Sequence, residues 1–136
     1  MLGGVSAVVE FAVSALHVPH IIICGHSDCG AMKALCDPVT HGLDRMPTVK
    51  SWLRNAEAAH SVVRATAENL SETGMVAALV RQNVALQLQH LRTHPAVAAA
   101  LASRRIKLHG WIFDIGAGRV DGLDESTGAQ VPLNGS

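Results

Sequence analysis

Positions 20–30 read His-Ile-Ile-Ile-Cys-Gly-His-Ser-Asp-Cys-Gly. Residues 20–25 form a short, β-branched, unbroken apolar run, the pattern of a buried parallel strand. The run stops at Gly25, His26 and Cys29 follow at once, and Ala-Met-Lys-Ala-Leu (31–35) then favours a helix. An imidazole and a thiol are thereby delivered where a strand ends and a helix begins, which is where open α/β sheets build their sites. Both are good zinc ligands, and a strand-to-helix corner lets a pair three residues apart converge on one ion. The same residues also read as a capped helix start with a buried thiol.

Upstream, Val5, Val8, Val9, Ala12, Val13 and Leu16 recur at helical spacing, so 4–17 is expected to be an amphipathic helix stopped before Pro19. Downstream, a helix over 29–35 ends at Asp37-Pro38, and 37–46 has no periodicity. Thr48 to about Ala67 reads as helix with Pro47 near its start. Ser71 has the character of an N-cap before a long helix with Val76, Leu79, Val80, Val84, Leu88 and Leu91 as its buried stripe. Pro95 can open a further helix to about Ser103. Ile106–Ile115 is the second strand, Gly116-Ala117-Gly118 turns it, and Arg119–Leu123 returns as a hairpin partner. The polar tail from Asp124 is expected to fray. About three strands are a thin centre for four or five helices, and the first helix starts almost at Met1, as though strands that should precede it were absent.

The chain has 136 residues, one domain's worth, with 49% hydrophobic and 16% charged residues, so a packed core is expected rather than disorder. Eleven basic and eleven acidic residues balance. That leaves no basic footprint for nucleic acid and mildly favours self-association. No run reaches the roughly 18 apolar residues of a membrane span, and Glu10 inside the apolar start argues against a secretory signal. Three cysteines, Cys24, Cys29 and Cys36, are too few and too odd for a disulfide framework, which fits a reducing cytoplasm.

Three segments in order resemble the β-class carbonic anhydrases: Gly4–Val13, Cys24–Met32 and Leu108–Gly118, with Asn83-Val84, Gln87-Leu88, Leu91 and Pro95 between them. The resemblance implies an α/β fold with a parallel-rich sheet and covering helices, N-terminally shortened, over a single domain spanning 1–136. It implies zinc-dependent reversible hydration of carbon dioxide to bicarbonate, with His26 and Cys29 as two of three protein zinc ligands and Gly30 offering a backbone N–H to bicarbonate. It also implies a homodimer or a higher multiple. The family's Cys-x-Asp-x-Arg segment, which carries its first ligand and an Asp–Arg pair, has no counterpart in this sequence. The alternative is a catalytically impaired relative that binds zinc or serves assembly.

The chain's own candidates for a third ligand are limited. Cys36 lies seven residues past Cys29, about 10 Å along a helix axis. Cys24 shares a strand face with His26 but sits about 6.6 Å deeper and is expected to be buried. Asp28 is adjacent but reads first as a helix cap, as does Ser27. The other seven histidines have no spacing that places them at this corner. A donor from a second protomer, or water, would complete the set.

Overall fold

A computed structural model describes residues 3–133. Strand β1 (His20–His26) lies parallel to β2 (Lys107–Asp114), in a register pairing Ile22 with His109 and His26 with Phe113. Strands β3 (Arg119–Leu123) and β4 (Gln130–Pro132) extend the sheet antiparallel, in the order β1-β2-β3-β4. The parallel pair needs a long crossover, and five helices provide it: α2 (Gly30–Cys36), α3 (Pro47–Trp52), α4 (Glu57–Thr66), α5 (Glu72–Thr93) and α6 (Pro95–Ala102). Helix α1 (Gly3–Glu10) precedes β1. The fold is a mixed sheet with covering helices.

Helix α5 positions the sheet. Ser71 caps it, its Oγ accepting from Gly74 N at 3.1 Å, and Glu72 follows in the first turn, where a negative charge suits the dipole. Its buried residues are Val76, Leu79, Val80, Val84, Leu88 and Leu91, the stripe expected from the sequence. Leu79 and Leu88 are fully buried, each contributing about 1.5–3 kcal/mol. The approach to the sheet is so close that β2 requires a glycine: a Cβ on Gly110 would stand 2.9 Å from Leu88 and 3.0 Å from Val84. A main core of α2, α4 and α5 side chains with Ile112 adjoins a smaller cluster of Val13, Leu91, Val97, Ala100 and Ile106, and Ile23 and Leu108 pack against both.

Three expectations are corrected. The first helix is α-helical only to Glu10. Residues Phe11–Ala15 widen to π-helix, Leu16 N bonding Phe11 O at 3.1 Å, and Val13 turns inward while Val5, Val8 and Leu16 stay exposed. The helix expected over 48–67 is broken by a tight 3-10 turn at Leu53–Ala56, where Asn55 donates to Trp52 O and Leu53 and Ala56 reach the core. The tail does not fray throughout: Asp124 N and Gly128 N bond back within 124–129, and β4 pairs with β3. Bidentate contacts of Arg92 with Glu125, at 2.5 and 2.6 Å, tie this tail to α5. The tail's last positions, 134–136, lie outside the described residues. Among those that are described, no helix is long and apolar enough to cross a membrane.

Candidate metal centre

His26 is the last residue of β1. Ser27 N continues the ladder to Phe113 O at 2.8 Å, and Ser27 Oγ accepts from Ile115 N at 2.9 Å. The loop after β1 is thereby pinned to the end of β2. Asp28 then takes a left-handed conformation, φ +52°, which aspartate tolerates better than most residues. This reversal delivers Cys29 to the N-cap of α2 (φ −72°, ψ 115°), where its carbonyl accepts the helix's first bond from Lys33 N at 2.9 Å.

The tautomer of His26 follows from its partner. Nδ1 lies 2.9 Å from Ser27 O, and a carbonyl can only accept, so Nδ1 carries the hydrogen. In the neutral ring the Nε2 lone pair is then free for a metal, the arrangement by which metal-binding histidines are oriented. Cys29 is half-buried against the main core, at the N-cap of α2. Gly30 opens α2, with no atom within 4 Å of where a Cβ would stand.

The other expected donors are elsewhere. Asp28 forms an ion pair with Lys33, whose hydrogen bond and charge hold its carboxyl below the usual value. Neither Ser27 nor Asp28 caps α2, because Ser27 is committed to Ile115 and Asp28 to Lys33. Cys24 is exposed rather than buried: it shares with His26 the sheet face turned away from α5, and nothing expected from sequence alone revealed that this face is uncovered. Cys36 sits at the far end of α2, where burial and then Glu72 push its thiol up. Among the described residues, no group of three or more His, Cys, Asp or Glu side chains is gathered to hold a metal ion. His26 and Cys29 are of the right type for zinc, and supply two members of a donor set.

The sequence reading missed a cavity of about 570 Å³ on the α5 side of the sheet, lined by Ser27, Asp28, Lys33, Glu72, Asp114 and Asp121 among others. It abuts the loop that carries His26 and Cys29. Asp121 is buried there, its Oδ2 accepting from Gln130 Nε2 at 3.2 Å. Its Oδ1 has Arg119 Nε at 3.4 Å, close enough for charge attraction but not aligned as a hydrogen bond. No sequence signal marks this residue, since an aspartate in a hairpin strand ordinarily faces water.

The family model described as carbonic anhydrase matches residues 2–120. A carbonic anhydrase of Pseudomonas aeruginosa is 51% identical over 131 residues, 96% of this chain and 58% of the relative. Carbonic anhydrase 1 of Escherichia coli O157:H7 is 48% identical over the same shares. Among solved structures, the β-carbonic anhydrase CcaA superposes with TM-score 0.89 at 35% identity, covering 97% of this chain and 64% of its own. A tetrameric β-carbonic anhydrase of Sordaria macrospora has TM-score 0.75 at 33% identity, covering 88% and 59%. The chain belongs to the carbonic anhydrase family, in its β class. It spans about 58% of the length of the two bacterial relatives.

Proposed function

We propose that the chain takes part in the reversible hydration of carbon dioxide to bicarbonate, with zinc held by His26 Nε2 and Cys29 Sγ. The observation that carries this is the 2.9 Å contact of His26 Nδ1 with the Ser27 carbonyl, which leaves Nε2 free three residues before the Cys29 thiol at the N-cap of α2. Bound zinc supplies a Lewis acid that brings the pKa of a coordinated water near 7. The chain's residues do the rest. Ser27 fixes the imidazole through its carbonyl and the loop through its hydroxyl. The Asp28–Lys33 pair holds the reversal that presents Cys29. The Gly30 N–H, at the first position of α2, is a donor for a bicarbonate oxygen.

Two protein ligands come from the described residues, and a donor from a second protomer or water fills the remaining positions. A homodimer or higher homo-oligomer is part of this reading. It is supported by the exposed apolar side chains of Val5, Val8, Phe11 and Leu16 along the first helix, and by the tetrameric state of the Sordaria relatives. Three unpaired thiols favour a cytoplasmic location.

Metal analysis paired with stopped-flow CO2 hydration tests the proposal. One zinc per chain with turnover far above buffer is expected. Zinc without turnover overturns the reaction, and purified protein that takes up no zinc overturns the site.

A further inference from the structure

His20 opens β1 and His109 lies on β2, where the parallel register sets it opposite Ile22. Alternation puts both imidazoles on the sheet face turned away from α5, the side opposite Gly25 and Gly110. His20 Nδ1 and His109 Nε2 are 3.0 Å apart, with ring centroids 5.1 Å apart and planes inclined by 42°. The contact is solvent-exposed. One nitrogen carries the shared hydrogen and the other accepts it.

That spacing is close to what an ion needs. Two imidazole nitrogens at about 2.0 Å from one ion stand about 2.8 Å apart at adjacent corners of a square plane and about 3.3 Å apart on a tetrahedron, values that bracket the observed spacing. A shift of a few tenths of an ångström and a modest turn of each ring suffice. The shared hydrogen moves through solvent to the other nitrogen of the ring that carries it, from His20 Nδ1 to His20 Nε2 or from His109 Nε2 to His109 Nδ1, so two neutral rings bind without net proton loss. We propose that His20 and His109 form a two-imidazole site for a divalent ion of the copper, nickel or zinc kind, completed by water. Six residues of strand, about 20 Å, separate His20 from His26, so the two do not share an ion. Lys107 is paired with His20 in the register and lies on His109's face, and its charge opposes a cation. Copper(II), the tightest binder of the series, is therefore favoured. Bound metal would clamp the N-terminal ends of β1 and β2.

The test is a Cu2+ titration followed by electron paramagnetic resonance, on the chain and on its His26→Ala variant. Coupling to two imidazole nitrogens is expected in both. In His20→Gln and in His109→Gln it should fall to one nitrogen, with affinity weaker on the order of tenfold. Circular dichroism checks that each variant is folded, and the two substitutions on separate strands give independent readings. A two-nitrogen signal that survives both glutamine variants, or its loss in His26→Ala, overturns the proposal, as does the lack of any imidazole coupling. None of these outcomes depends on turnover, so the hydration reading stands or falls separately.

Discussion

Gly25 lies directly beneath Val84: a Cβ built on Gly25 would stand 2.8 Å from Val84 Cγ2 and equally near Val80 Cγ1. Both valines are buried and stiff at χ1, so neither can swing aside. Gly25→Ala should destabilise the fold by about 1–3 kcal/mol through overpacking. Because Gly25 precedes His26, zinc affinity should drop as well. Urea unfolding with the wild-type midpoint in the variant would disprove so tight a contact.

His26→Ala and Cys29→Ser should each remove most bound zinc, because each deletes one of the two donors the corner presents. Metal content after dialysis reads this directly. A full equivalent retained in either variant counts against that residue as a ligand. Cys36→Ser should leave the zinc content unchanged, since Cys36 lies at the opposite end of α2.

His94 joins the first helix to the α5–α6 corner. Its Nδ1 accepts from Ala96 N at 3.2 Å, capping α6, and its Nε2 lies 3.0 Å from Ser6 Oγ and 3.1 Å from Ser6 O. His94→Ala removes the cap and leaves the Ser6 groups without this partner, at a cost of about 1–3 kcal/mol. Hydrogen exchange should speed up over residues 3–15. Unchanged protection there would show that the helix is held by other contacts.

His60 should make stability depend on pH near neutrality. Burial first, and then the Arg64 charge, hold its imidazole below the ordinary value. Below about pH 6.5 the unfolded chain therefore binds more protons at this site than the folded one, and stability declines as pH falls. His60→Gln should flatten the slope below about pH 6.5. Asp28, Asp37, Asp44 and Asp124, all held low, contribute above their unfolded value of about 3.9 and lose that contribution only at lower pH. A His60→Gln melting curve parallel to wild type across the upper window would exclude His60 as the cause.

Much of the fold was legible because its signals are local. The β-branched run before Gly25, the stripe from Val76 to Leu91, the Ser71 cap and the Pro95 restart each express a rule confined to a few residues. The strand end at His26 and the helix start after Cys29 were legible for the same reason, since only two residues separate them. The break at Leu53–Ala56 and the π turn at Phe11–Ala15 were not, because burial of Leu53, Ala56 and Val13 against distant elements sets them. Strand β4 escaped notice because a lone Val131 between Gln130 and Pro132 is too short a signal, and the segment is ordered by pairing with β3.

The amino-acid order alone settled that an imidazole closes a strand three residues before a thiol at the start of a helix, and that a long apolar-striped helix crosses to the next strand. Folding in three dimensions decided which face of β1 that helix covers. Gly25 was thereby turned under α5 and Cys24 left in the open. It also decided that Ser27 O would hold His26 Nδ1, and that His20 would meet His109 across two strands. Periodicity says that a strand has two sides; only the packing of remote segments determines which side loses its water.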